Sequence, residues 1–193
     1  MGRDAIAVGE PSSNLATRGE ALPPVQKIVT VPLTTAAAFD LFVRRLHEWW
    51  PLAARSVFLE NAASCHVEAH LGGRLYERSH DGREEIWGRF TAFEDGMRVV
   101  FAWHPGISET SATEVEINFV SIGSSTRIVV EHRHWERLGA RASFVRAIMD
   151  GGWPGVLARF EACARGERDL PAVEGPGCIS REGDASRSDI SVD

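Results

Sequence analysis

Between residues 25 and 132 the chain is dominated by a period of two, interrupted once by a period of three to four, and the longer period returns after residue 139. VQKIVTV (25–31) alternates and is rich in β-branched residues, which predicts a strand stopped by Pro32. Thr34 or Thr35 is the expected N-cap of a helix through AAAFDLFVRRLHEWW. There Ala38, Leu41, Phe42, Leu46 and Trp49 share one face, and Pro51 ends the element. Trp49 continues the inward stripe, whereas Trp50 is turned about 100° away from it and is expected at the mouth of any cavity.

Six further strands are predicted: SCHVEAH (64–70), RLYERSH (74–80), EEIWGRFTAF (84–93), RVVFAWH (98–104), TEVEINFV (113–120) and STRIVVEH (125–132). Asp81-Gly82 is a strong hairpin signal between two of them. Glu114, Glu116 and Asn118 alternate with Val115, Ile117 and Phe119, so one sheet face is wet and the other apolar. Residues 139–165 carry a helical stripe (Val145, Ile148, Met149, Trp153, Val156, Leu157, Phe160), with a break or kink expected near 151–153, where Gly-Gly-Trp precedes Pro154.

Helices at the two ends of a run of strands predict an α+β domain with a curved antiparallel sheet of about seven strands, one or two short helices after the first strand and a long C-terminal helix. Only that last helix is long and apolar enough to cover the concave face, and a cavity is expected between the two. Residues 1–24 read as a flexible leader, 25–165 as the folded domain, and 166–193 as a disordered acidic tail.

Charge changes the picture only by exclusion. The chain of 193 residues carries a formal charge of −6, and −4 of it lies in residues 166–193. The folded part is nearly balanced and has no basic face for nucleic acid. Cys65, Cys163 and Cys178 are too few and too scattered for a disulfide framework, which favours a reducing, cytoplasmic setting. No stretch reaches the roughly 18 apolar residues that span a membrane.

The ordered set WWP (49–51), GGRLYER (72–78), DG (81–82), IWGRF (86–90), VVFAW (99–103), TEVEINF (113–119), STRIVVEH (125–132) and GGWPGVLARF (151–160) resembles the SRPBCC (START-like, helix-grip) superfamily. Within it, the chain is similar to bacterial domains like the carboxy-terminal domain of the activator of heat-shock protein 90 ATPase. The resemblance implies a helix-grip fold whose cavity holds apolar or amphipathic small molecules, but no single activity.

Seven histidines invite a metal, with His132 and His134 on one strand face and His66 and His70 on another, but no metal-binding spacing is present. Nor is there a nucleophile elbow, a nucleotide-binding glycine motif or a cofactor signature. What remains is an aromatic pocket. Its expected ligand-binding residues are Trp50, Trp87, Trp103, Phe119 and Trp153, with Arg74, Glu116 and His132 as polar anchors. Core packing is the commoner role of such aromatics. The reading is a binding domain for an apolar or aromatic small molecule, without a cofactor or metal. An aromatase/cyclase-like enzyme using His132 with Glu116 or Arg74, and a chaperone or protein-interaction module, are the alternatives. Homodimerisation is left open.

Overall fold

A computed structural model describes residues 21–173. The expected leader before residue 21 and tail beyond residue 173 lie outside the described residues. Seven strands form one antiparallel sheet: β1 (Val25–Val31), β2 (Ala62–Val67), β3 (Arg74–Ser79), β4 (Glu84–Glu94), β5 (Arg98–Trp103), β6 (Thr113–Ile122) and β7 (Ser125–Arg133). Their order is β1-β7-β6-β5-β4-β3-β2, so the chain crosses from one edge to the other after β1 and then meanders back. The long helix α3 (Ala142–Ala164) covers the concave face, which gives the α+β helix-grip architecture.

The period-two reading fixes which side chains face α3. Val115, Ile117 and Phe119 stand opposite His132, Val130 and Ile128, and all six are buried. Arg133 on the outer face bonds Glu131 (2.6 Å), Glu114 (2.7 Å) and Glu116 (2.7 Å), and Arg98 bonds Glu116 (2.6 Å) and Glu94 (2.9 Å). The Asp81-Gly82 turn joins β3 to β4, with Gly82 at φ +86°.

The first helix differs from a plain α-helix. Thr34 caps α1 (Thr35–Phe39) by accepting from the Ala37 N–H. A π turn over Asp40–Arg44 follows, closed by Arg45 N to Asp40 O at 3.0 Å, before α2 (Leu46–Trp49). The wide turn keeps Leu41, Phe42 and Val43 consecutively buried, which a regular helix on a flat core does not do. Trp49 locks it: its indole N–H donates to the Leu41 carbonyl at 3.0 Å, and its own carbonyl accepts from Arg159 of α3 at 3.0 Å.

Three sequence expectations are corrected here. β2 ends at Val67, so His70 lies in a loop and does not share a strand face with His66. β7 ends at Arg133, and His134, in the left-handed region at φ +66°, turns out to pair with Glu136. The expected break near 151–153 is also absent, because α3 runs through Pro154 without interruption. Proline removes one backbone donor, but Val145 on one side and Val156, Leu157 and Phe160 on the other are buried and hold both halves on the sheet. Burial outweighs the lost bond. Because Pro154 is exposed, Pro154→Ala should restore that bond and raise stability by about 1–3 kcal/mol in urea or thermal denaturation, with the fold unchanged.

Candidate functional site

A cavity of about 350 Å³ lies between α3 and the sheet. Its wall is apolar. Phe42, Val43, Leu46 and Trp49 come from the first helical segment, Leu75, Trp87, Phe90, Val99, Phe101, Trp103 and Ile117 from the sheet, and Ala147, Ile148, Met149, Gly151, Gly152 and Trp153 from the middle turns of α3. The middle of the helix is where the space arises. Ala147, Gly151 and Gly152 supply almost no side-chain volume, while Val145 before them and Val156, Leu157 and Phe160 after them are buried.

Of the expected residues, Trp50, Trp87, Trp103 and Trp153 line this cavity. Trp50 follows the last turn of α2 in extended backbone, and its indole N–H donates to the Arg55 carbonyl at 3.0 Å. Its ring lies 5.3 Å from Trp87 and 6.0 Å from Trp103, so the three indoles form one aromatic corner. Trp49 also touches the cavity, although it is fully buried.

Trp87 reaches its place through a β-bulge. Leu75 pairs with Gly88 and Tyr76 with Ile86, which leaves Trp87 as the extra residue. The bulge depends on Gly88: a Cβ there would stand 2.0 Å from the Ala102 carbonyl oxygen of β5. A lone glycine inside a strand pattern was the available signal for that bulge.

The other four expected residues lie elsewhere. Phe119 is buried among Phe39 (5.1 Å) and Phe42 (5.8 Å) and does not border the cavity. Arg74 faces outward, bonded to Glu68 (2.6 Å) and Glu84 (3.1 Å) and stacked over Tyr76. Glu116 sits in the outer ion-pair network, where hydrogen bonding from Arg98, chiefly, holds its carboxyl down at about 2. Strand alternation therefore separates Glu116 and Arg74 from His132. The suggested acid–base trio is not assembled.

His132 is completely buried behind Trp153. Trp153 Nε1 donates to His132 Nδ1 (3.4 Å), His132 Nε2 meets Thr113 Oγ1 (2.7 Å), and Thr113 Oγ1 donates to the Trp103 carbonyl (3.2 Å). This order of donors places the ring proton on Nε2. The histidine borders a separate hollow of about 20 Å³, room for about one water, which Trp103 and Met149 divide from the main cavity. Burial pushes its pKa down to about 3, so it is neutral at physiological pH. Burial likewise pushes the Cys65 thiol up to about 12, which leaves it a poor nucleophile. Among the described residues no group of three or more His, Cys, Asp or Glu could hold a metal ion, and no helix is long and apolar enough to cross a membrane.

Sequence reasoning missed two residues near the cavity. Arg55 lines it and, among the described residues, is the only charged side chain to do so. Glu77, on the inward face of β3, is fully buried and accepts from Ser56 Oγ (2.5 Å), Val57 N (2.7 Å) and Phe58 N (2.9 Å). Arg55 stands outside any periodic element, so no pattern marks it. For Glu77, an acid at an inward strand position was the readable sign.

Comparison with known proteins bears on this geometry. The family model described as Activator of Hsp90 ATPase homolog 1-like protein matches residues 36–165. No curated protein matches the chain. Among solved structures, the anthrahydroquino-γ-pyrone synthase Txn09, solved as a complex, is 32% identical, with a TM-score of 0.53 and coverage of 73% of this chain and 96% of that one. CalC from Micromonospora echinospora, a self-sacrificing resistance protein, is 29% identical, with a TM-score of 0.55 and coverage of 76% and 97%. The Aha1 dimer from Colwellia psychrerythraea shares the fold at 11% identity, with a TM-score of 0.54 and coverage of 77% and 100%.

The buried histidine makes stability depend on pH. In the unfolded chain it takes up a proton near pH 6.5, whereas in the folded protein it does so only near 3. The unfolded state binds more protons between those values, so acidification from about pH 6.5 toward 3 removes stability at up to about 1.4 kcal/mol per pH unit. Urea denaturation across that window should show the slope, and His132→Asn should flatten it.

Proposed function

The chain belongs to the Activator of Hsp90 ATPase homolog 1-like family, and from that membership we propose that its cavity binds an apolar, aromatic small molecule. The cavity itself carries the reading. An apolar space of about 350 Å³ between helix and sheet forgoes packing contacts that larger side chains would make. A protein under selection for stability alone would fill it with larger side chains on α3. Instead the helix presents Ala147, Gly151 and Gly152 there, opposite Trp50, Trp87 and Trp103. Indole faces and edges suit a flat aromatic ligand. The likeness to an anthrahydroquino-γ-pyrone synthase supports the same ligand class.

A cyclase-like enzyme is the second reading, and the 32% identity with the synthase favours it. Against it, the cavity wall presents no paired acid and base among the described residues, where Arg55 is the one charged group, and His132 lies behind Trp153. Binding without proton transfer is the reading we adopt. The free thiols of Cys65 and Cys163 support a reducing, cytoplasmic location.

The probe for the test is 1-aminoanthracene, followed by its own fluorescence and by quenching of the tryptophans. The wild-type protein should bind it saturably. In Gly152→Leu the new Cβ makes only ordinary contact, 3.7 Å from the Arg55 side chain, and the helix gains about 1 kcal/mol of propensity. That variant should keep or raise the melting temperature while its Kd for the probe rises at least about tenfold. No binding to the wild type, or equal binding to the variant, would sink the proposal.

A further inference from the structure

We propose that His132 and Thr113 are positioning residues for the cavity. Through a hydrogen-bond relay they fix the indole of Trp153, and the fixed indole makes the site prefer flat aromatic ligands to twisted ones. The inference rests on the cavity being a binding site and adds what decides the shape of its occupant. Among the described residues, Trp153 is the one aromatic side chain that α3 contributes to the cavity wall. Gly151 and Gly152 beside it have no side chains to press on the indole, whose cavity side borders open space. Contacts on that side are too few to choose a rotamer, so a directional bond from behind has to do it.

The bond comes from His132. Trp153 Nε1 donates to His132 Nδ1 at 3.4 Å, His132 Nε2 meets Thr113 Oγ1 at 2.7 Å, and Thr113 Oγ1 donates to the Trp103 carbonyl at 3.2 Å. Both ends of this relay have a fixed polarity, because a carbonyl only accepts and an indole N–H only donates. Thr113 Oγ1 therefore accepts from His132 Nε2–H, and Nδ1 is left as a lone pair facing Trp153. The imidazole cannot turn away: it is fully buried, with its ring 4.2 Å from that of Trp135. Burial also keeps it neutral, so Nδ1 remains an acceptor. The relay begins and ends on the cavity wall, since Trp103 and Trp153 both line it.

A flat ligand can lie along the indole as it stands. A twisted one needs more width between helix and sheet. On the sheet side Trp50, Trp87 and Trp103 brace one another, with ring centroids 5.3–6.0 Å apart, so the width has to come from Trp153. Moving that indole breaks its bond to His132 and leaves Nδ1, on a fully buried ring, without a donor. The penalty falls on ligands that displace Trp153 and spares those that leave it in place. A residue outside the cavity thereby governs selection inside it.

Two uncharged aromatic amines separate the cases: 1-aminoanthracene, which is flat, and N-phenyl-1-naphthylamine, which is twisted. Fluorescence titration of the wild type should give a Kd about tenfold lower for the flat probe, and Gly152→Leu should weaken both, which locates them in the cavity. Thr113→Val keeps the β-branched shape but removes the acceptor for Nε2–H. It should bring the two Kd values within about threefold, chiefly by tightening the twisted probe. Thr113→Ser keeps the hydroxyl and should retain the wild-type preference. Trp153→Phe keeps an aromatic wall without the N–H; it should lose the preference too, and adding Thr113→Val to it should change nothing further. Imidazole nitrogen NMR should place the His132 proton on Nε2 in the wild type and show mixed tautomers in Thr113→Val, a change that a merely structural role would not produce. If the wild type shows no preference, or Thr113→Val leaves it intact or weakens both probes alike, this proposal is overturned and the cavity reading stands. If neither probe binds the wild type, the cavity reading fails, and the relay's role with it.

Discussion

A curled sheet of seven strands has one concave apolar face, and a single helix has to cover it. That requirement organises the molecule. The amino-terminal part of α3 packs through Val145 against Val25 and Trp135, while its carboxy-terminal part packs through Val156, Leu157 and Phe160 against the main core. Both ends are anchored, so the middle need not be. Small residues at 147, 151 and 152 turn that freedom into an apolar cavity that opens to the surface.

The first helical segment completes the enclosure. Its π turn lets three consecutive residues face inward, and Trp49 ties the turn to α3 through the Leu41 carbonyl and Arg159. Phe42, Trp49 and Phe160 pack with ring centroids 4.8–5.1 Å apart. The cavity wall is therefore part of the same aromatic cluster that stabilises the fold. A rigid wall of this kind binds without first having to be ordered.

Polar groups inside the fold are few, and the main ones are restrained. Glu77 is satisfied by the loop it clamps, and His132 by Thr113 and Trp153. The ion pairs of Arg98 and Arg133 stay on the outer face, where they cost little desolvation and contribute modestly. Among the described residues the cavity wall is apolar apart from Arg55.

The sequence by itself determined the strands, their inward faces and the covering helix, because period two and period 3.6 are local properties of side-chain direction. Alternation on β6 already put Glu116 outside with Glu114 and Asn118, and reading it as a cavity anchor went against that pattern. Trp50, Trp103 and Trp153 were legible as aromatic residues expected to line a space between the helix and the sheet. The rest depended on tertiary structure. Whether Pro154 breaks a helix is decided by what both halves bury. Whether Trp87 faces the cavity is decided by a bulge that needs Gly88 close to β5. Arg55 and Glu77 are 22 positions apart on a loop and a strand, and no local pattern relates them. Only the folding of that loop onto β3 brings a buried carboxylate under the segment that carries Arg55.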